Sequence, residues 1–195
     1  MNPQDSAAGS AYTVGVYYYP WYGNNFNGGG YLREHLRPPQ PPSLGEYDDR
    51  DSGVIAQHLR WSRQANVSLW VASWWGPGRR EDITLRQHIL PHEELGDTKI
   101  ALFYETAGRI PGFTDLTNVS ADVAYIAANY FEHANYLRID GRPVLFVYLT
   151  RVLANRGVLA EAVTRMRGAA SEAGYDLYIV GDHAFGQPRD ASALR

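Results

Sequence analysis

The sequence predicts an α/β protein built on a parallel sheet. Short runs of β-branched and aromatic residues, typical of buried strands, alternate with longer stretches whose apolar residues follow helical spacing. About four and a half strand–helix units fit into the 195 residues. Because parallel strands need crossover connections, this alternation favours a parallel sheet. Two architectures stay open, a five-stranded open sheet and the first part of a (β/α)8 barrel, which typically needs about 250 residues.

Composition limits the classes of function. The formal net charge of −3 gives no electrostatic reason to expect nucleic acid or an anionic membrane as a partner. The absence of cysteine excludes disulfides and thiolate chemistry. Neither a signal peptide nor an apolar run of transmembrane length is visible, so the chain as written is expected to be cytoplasmic. Residues 1–12 are polar and predict a disordered leader, with residues 13–195 forming one domain.

The first unit centres on residues 14–23, VGVYYYPWYG. Its β-branched and aromatic residues predict a strand buried on both faces, which Pro20 ends because proline offers no N–H to the ladder. Trp21 and Tyr22 then follow the carboxyl end of the strand, where ligands bind in parallel α/β proteins. These rings could stack on a sugar, and they could equally be core aromatics.

The second unit repeats this arrangement. A long loop at residues 24–50 carries His35 and Tyr47 as candidate ligand contacts. Asp51 or Ser52 is expected to cap a helix, on which His58 and Trp61 are interpreted as packing residues. The predicted strand at residues 67–73 is followed by Trp74 and Trp75. The sequence therefore predicts aromatic rings at one rim of the sheet from two separate strands.

The third unit places a carboxylate at the same rim. A helix is predicted over residues 82–95, with His88 and His92 four apart on one face, but the HExxH metal pattern is absent and no metal site is expected. The strand at residues 99–104 ends at Glu105. We expect a functional carboxylate there, with helix capping or loop bracing as the alternative and Arg109 as an expected ion partner.

The remaining units continue the alternation. A helix is predicted over residues 119–131, a tight hairpin turn at Asp140-Gly141 and a strand over residues 144–148. A helix over residues 158–173 should end at Gly174. The last predicted strand, residues 177–180, leads to Asp182, so Glu105 and Asp182 both stand at strand ends.

Five ordered segments resemble glycoside hydrolase family 99, the endo-α-mannosidases and endo-α-mannanases. The segments are YYYPWYG at 17–23, LGEYDDRD at 44–51, SWWGPG at 73–78, FYETAGR at 103–109 and NYLRIDGRPVLFVY at 135–148. The resemblance implies a (β/α)8 barrel of which the first four to five units are present. It also implies retaining, endo-acting hydrolysis of α-mannosidic bonds without a cofactor, through a glutamate pair late in the barrel.

The resemblance implies that residues of this chain contact the substrate, and it assigns no catalytic residue to them. No segment here matches the one that bears the glutamate pair, so the pair is expected in a missing carboxyl-terminal part. Tyr22, Trp75 and Glu105 match positions that line sugar sites in the family, while Tyr47 is a weaker match and His35 a weaker one still. Trp21 is added as a substrate contact from its place after the first predicted strand.

Three interpretations follow. The first is part of a glycoside hydrolase that acts on an oligo- or polysaccharide. The second is a non-catalytic carbohydrate-binding half-barrel, and the third is an enzyme that uses Glu105 and Asp182 as its own acid and base. In the first two cases unpaired sheet edges predict association of the chain with itself.

Overall fold

The computed structural model describes residues 12–23 and 42–184 of the chain. Most of the predicted leader and His35 of the long loop lie outside these residues. None of the helices in the described ranges is long and apolar enough to cross a membrane.

Within the described residues, the sheet contains five parallel strands in chain order and one short antiparallel strand. The strands are β1 (Gly15–Tyr18), β2 (Leu69–Trp74), β3 (Lys99–Tyr104), β4 (Arg138–Ile139), β5 (Arg142–Val147) and β6 (Tyr178–Gly181). Neighbours follow the order β1-β2-β3-β5-β6, and β4 pairs only with β5 among the described strands. In the register, Tyr17 stands opposite Val71, and Ser73 stands opposite Phe103.

Six α-helices connect the strands in the part of the chain that the structure describes. They are α1 (Ser52–Gln64), α2 (Arg80–Thr84), α3 (Thr106–Arg109), α4 (Val119–Ile126), α5 (Thr150–Asn155) and α6 (Leu159–Glu172). Two of them continue into π-helical turns, α2 through Leu85–Ile89 and α4 through Ala127–Phe131. Short 3₁₀ turns follow at Glu93–Leu95 and Pro111–Phe113.

The crossover helices pack on one face of the sheet, which we call the helix face. Buried residues of α1, α2, α4 and α6 form a single core with alternate strand residues such as Trp70, Ala72 and Leu102. A separate small cluster on the opposite face consists of strand residues only, namely Leu69, Val71, Ala101 and Phe103. Helices on one face and strands in chain order are the winding of a (β/α)8 barrel, since doubly wound sheets carry helices on both faces and reverse their strand order.

Several local predictions are confirmed. Asp51 caps α1, its Oδ1 accepting hydrogen bonds from the N–H groups of Gly53 at 2.7 Å and Val54 at 3.2 Å. Asp140 and Gly141 both have positive φ, 52° and 78°, as a tight hairpin turn requires. The predicted strand at residues 99–104 and the helical stretch at residues 119–131 have the observed bounds.

The prediction that the first strand is buried on both faces is wrong. Val16 is 40% exposed and Tyr17 is 50% exposed. The reason is that β1 pairs only with β2 among the described strands and therefore forms an edge of the sheet.

The prediction of one helix over residues 82–95 is also wrong, because the helix ends before Pro91, whose ring would clash with the preceding turn. His92 instead precedes the 3₁₀ turn, and its Nδ1 accepts a hydrogen bond from the Glu94 N–H at 3.1 Å. His88 and His92 therefore do not share a helical face. The described residues hold no group of three or more potential metal ligands.

Candidate functional site

The carboxyl ends of β2 and β3 bring a tryptophan and a glutamate together. Successive strand residues point to opposite faces, so Trp74 and Trp75 diverge. Trp74 turns to the helix face, where it is fully buried and its Nε1–H donates to Asp82 at 3.1 Å. Trp75 lies on the opposite face, half-buried, with its Nε1–H donating to the Ser73 hydroxyl at 2.9 Å. Of Trp74 and Trp75, only Trp75 is therefore available to a ligand.

Glu105 is joined to this tryptophan through Ser73. The Ser73 hydroxyl donates to Glu105 Oε1 at 2.6 Å, and both residues are buried, with Glu105 only 4% exposed. The carboxylate makes no capping hydrogen bond to α3, which begins at the next residue. The alternative role of a helix cap is thus excluded, and a buried carboxylate faces the rim of the sheet.

Arg109 is not the ion partner of Glu105, contrary to the sequence-based expectation. Its guanidinium instead forms a two-pronged pair with Asp122, at 2.8 Å from Nε and 2.6 Å from Nη2. Tyr104 donates its hydroxyl to the same carboxylate at 2.8 Å. Because a fork of two N–H groups matches a carboxylate, this pair is already satisfied and leaves Glu105 without the arginine.

Burial sets the proton affinity of Glu105. Removal of the carboxyl from water raises its pKa to about 7, the hydrogen bond from Ser73 works against this, and the negative charges of Glu81 and Asp182 add to the rise. A carboxyl with a pKa near neutrality exchanges its proton readily at physiological pH. Glu105 can therefore act as a hydrogen-bond donor or acceptor toward a hydroxyl group.

The ring of Trp75 packs against Gly108. A Cβ atom added to Gly108 would lie 2.4 Å from Cε3 and 2.8 Å from Cζ3 of the Trp75 ring. The indole therefore packs directly on the backbone of α3. The lack of a side chain at Gly108, in the segment FYETAGR, thus allows the ring of Trp75, in the segment SWWGPG, to approach α3.

Trp21 adds a second indole at this rim. It follows β1, and its ring centroid lies 6.4 Å from that of Trp75 in an edge-on arrangement and 4.6 Å from that of Tyr19. By alternation from Tyr17, the side chain of Tyr19 belongs to the face opposite the helices. The structure thus brings together Trp21, Trp75 and Glu105, all three predicted from the sequence.

Tyr22 and Tyr47 form a separate pair next to this group. Their ring centroids are 5.7 Å apart, and Tyr47 also contacts His58 of α1 at 5.3 Å. The pKa of Tyr47 rises to about 12, chiefly through burial and further through Tyr22 and Asp49. Tyr47 therefore packs against α1, with the Tyr22 ring next to it.

The segment LGEYDDRD is chiefly a brace for the turn after β1. Asp49 is buried, and its Oδ2 accepts a hydrogen bond from the Tyr22 N–H at 2.6 Å. Arg80 donates to Asp48 and Asp49 at 2.7 Å each and to the Tyr22 carbonyl at 2.5 Å. Three chain segments thus fix the backbone that carries Trp21 and Tyr22.

Asp182 and Tyr148 complete the rim on the far side of Glu105. Both continue strands, β6 and β5, on the face opposite the helices, and both are half-buried. The Asp182 carbonyl accepts hydrogen bonds from the Thr150 N–H at 3.0 Å and hydroxyl at 2.8 Å, which anchors its backbone. Tyr148 packs its ring on Phe103 at 5.3 Å. Leu149, next to Tyr148, has a left-handed φ of 50°, an uncommon conformation for leucine that bends the chain into α5.

Ser73, Gly108 and Tyr148 were not predicted as site residues. Strand alternation could have placed Ser73 and Tyr148 on the same face as Glu105. The role of Gly108 depends on a contact between two segments far apart in sequence, and no local pattern signals it.

The sequence profile of glycosyl hydrolase family 99 matches residues 40–164. A glycoprotein endo-alpha-1,2-mannosidase of Mus musculus is 26% identical over 172 residues, covering 70% of this chain and 36% of that protein. One of Rattus norvegicus is 27% identical over 173 residues with the same coverage. The chain thus spans about a third of the length of these curated relatives.

Solved structures give a consistent result. A GH99 endo-alpha-mannosidase from Bacteroides thetaiotaomicron is 26% identical with a TM-score of 0.54, covering 72% of this chain and 42% of that one. A glycoside hydrolase-like protein has a TM-score of 0.60 at 19% identity, which is a likeness of fold, and covers 87% and 51% of the two chains. With the profile spanning more than half of the residues, the chain belongs to glycosyl hydrolase family 99.

Proposed function

We propose that these residues form the sugar-binding side of a retaining, endo-acting glycoside hydrolase that cleaves α-mannose-containing oligo- or polysaccharides. The observation that carries the proposal is the group of Trp21, Trp75 and the buried Glu105 at the carboxyl rim of a parallel sheet. Aromatic faces accept the C–H side of a sugar ring, while a carboxyl group binds its hydroxyls. The names of the mannosidase relatives support mannose as the sugar.

Each predicted site residue has a role in this proposal. Trp75, seated on Gly108, and Trp21 stack on sugar rings, and Glu105 hydrogen-bonds a hydroxyl of the ring that they hold. Tyr22 and Tyr47, on the α1 side, contact a sugar farther along the glycan. The partial exposure of the four aromatic rings supports the stacking roles, and the buried carboxyl of Glu105 supports its hydrogen-bonding role.

We assign the chemistry to a glutamate pair outside these 195 residues, in a completed (β/α)8 barrel. The winding of the sheet supports the barrel. This chain covers about a third of the length of its curated relatives, which leaves room for further strands. The adjacent acids Glu93 and Glu94 do not supply such a pair, because they lie in a 3₁₀ turn where Glu94 pairs with Arg60 and Arg63.

A second candidate is that Glu105 and Asp182 act as acid and base. Its support is that both follow strands on the same face and that the charge of Asp182 helps raise the pKa of Glu105 to about 7. Hydrolysis of α-mannan by the 195-residue chain, abolished in both Glu105→Gln and Asp182→Asn, would establish it. Binding without hydrolysis would favour the assignment of the chemistry to residues outside this chain.

Isothermal calorimetry with α-mannan oligosaccharides tests sugar binding. We expect Trp75→Ala to weaken binding about tenfold or more, since a buried aromatic anchor contributes upward of about 1–2 kcal/mol. Trp61→Ala is the matched control, because Trp61 is 41% exposed and stacks on His58 of α1. An unchanged affinity in Trp75→Ala, or an equal loss in both variants, would overturn the proposal.

A further inference from the structure

Ser73 links the two ligand-facing groups of the site. It lies in β2 opposite Phe103 of β3, so its side chain is on the face from which Glu105, just after β3, also projects. Its hydroxyl is fully buried, accepts from Trp75 at 2.9 Å and donates to Glu105 at 2.6 Å. With no water to compete, these hydrogen bonds are strong and persistent.

The direction of this chain of hydrogen bonds is fixed by chemistry. An indole N–H can only donate, so the Ser73 oxygen must accept it. Among the described contacts, Glu105 Oε1 is the only acceptor available for the single proton of this buried hydroxyl, so Ser73 donates to Oε1. As a result Oε1 is an acceptor whether or not Glu105 is ionised. When Glu105 is protonated, this arrangement favours its proton on Oε2, since a proton on Oε1 would leave the Ser73 proton without an acceptor.

We propose that Ser73 is a positioning residue, which clamps Glu105 Oε1 and reserves Oε2 for a sugar hydroxyl. The part concerning the sugar rests on the proposed function, whereas the clamp does not. Through the same hydroxyl, the position of the Trp75 ring and the protonation of Glu105 are coupled. A sugar that stacks on Trp75 therefore meets a carboxyl whose donor and acceptor oxygens are already assigned.

Other groups also act on Glu105, and the clamp must be separated from them. They are Tyr19 after β1, Glu81 of α2 and Asp182 after β6. Tyr17 of β1 and Tyr148 after β5 act on Tyr19 on the same face. None of these is bonded to Ser73 in the described residues, so removing the Ser73 hydroxyl changes the clamp and leaves these groups in place.

The chain contains a matched control for the clamp. Trp70 donates its Nε1–H to the Ser62 hydroxyl at 2.9 Å, the same distance as in the Trp75–Ser73 pair. No carboxylate bonded to Ser62 completes that second pair among the described contacts. Ser62→Ala thus removes a tryptophan-bonded hydroxyl without touching Glu105.

The test is an NMR titration of the full 195-residue chain without sugar, from pH 4 to pH 9. Carboxyl ¹³C signals follow Glu105, assigned through Glu105→Gln, and indole ¹H–¹⁵N signals follow Trp75 and Trp70. In the unsubstituted chain we expect the Trp75 indole signal to move with the Glu105 midpoint while that of Trp70 stays still. In Ser73→Ala the Glu105 midpoint should rise by about one pH unit, since a hydrogen bond to the charged form is lost.

The outcomes test the clamp, the hydrogen bond from Ser73 to Glu105 Oε1, independently of sugar binding. A Glu105 midpoint that rises in Ser73→Ala and not in Ser62→Ala supports it, as does loss of the Trp75 response in Glu105→Gln. An unchanged Glu105 midpoint in Ser73→Ala, or a Trp75 indole signal that does not move as Glu105 titrates, overturns the clamp. Because no glycan is present, failure of the proposed function would leave these signals unaffected.

Discussion

Replacing Gly108 with alanine directly tests how Trp75 is placed. The new Cβ would lie 2.4 Å from Cε3 of the Trp75 ring, closer than any real contact, so the ring must move. Gly108 lies in the short helix α3 and has no left-handed φ, so alanine introduces no backbone strain. The whole effect then comes from the displaced indole and its hydrogen bond to Ser73.

The size of the effect follows from two opposing terms. Alanine in place of glycine in a helix favours folding by about 1 kcal/mol, whereas overpacking costs about 1–3 kcal/mol. We therefore expect Gly108→Ala to lose up to about 2 kcal/mol of stability and to weaken glycan binding. Gly168→Ala in α6 is the matched control, since its Cβ would meet nothing within 4 Å. That variant should gain about 0.5–1 kcal/mol, or about 1–4 °C in Tm.

Thermal unfolding, calorimetry with α-mannan oligosaccharides and the Trp75 indole NMR signal measure these effects together. We expect the indole signal to shift in Gly108→Ala and to stay in place in Gly168→Ala. If Gly108→Ala were as stabilising as the control and left the Trp75 signal unmoved, the packing of Trp75 on α3 would be refuted.

Three further predictions concern the buried charges and the exposed edge. Because the pKa of Glu105 is raised to about 7, the folded state should lose up to about 3 kcal/mol as the pH rises from about 4.5 to about 7; Glu105→Gln should remove that loss in urea unfolding at pH 8 and change little at pH 4.5. Asp82 is fully buried and accepts from Trp74, Gly78, Tyr125 and Tyr130. Asp82→Asn should therefore cost about 2–4 kcal/mol in the same assay, and a cost below about 1 kcal/mol would contradict this. The exposed strand β1 should make the chain associate, so a charge on its edge in Val16→Lys should reduce association in sedimentation velocity; a monomeric unsubstituted chain at high concentration would refute this.

The sequence predicted the order and type of the main elements because their signals are local. Asp51, the Asp140-Gly141 turn and the β-branched runs each specify their own conformation. Two predictions about these elements failed, the first because edge position depends on the pairing of strands and the second because it neglected the local signal of Pro91. Tyr17 has the composition of a buried strand residue but lies at an edge, and His92 follows a proline that ends its helix.

The candidate site was predictable in its members more than in its contacts. Trp75 and Glu105 were found because each follows a strand. Their connection through Ser73 requires the register between β2 and β3, which local sequence does not contain. Arg109 shows the same limit: it is four residues from Glu105 and pairs instead with Asp122, which a helix brings back to it.

The most direct test of glycan binding at this rim uses the five tryptophans of the chain as reporters in one spectrum. The indole ¹H–¹⁵N signals are followed while an α-mannan oligosaccharide is added. Binding at the proposed site predicts that the signals of Trp21 and Trp75 move, while those of Trp61, Trp70 and Trp74 do not. Movement confined to Trp61, or no movement of any indole signal at saturating glycan, would contradict it.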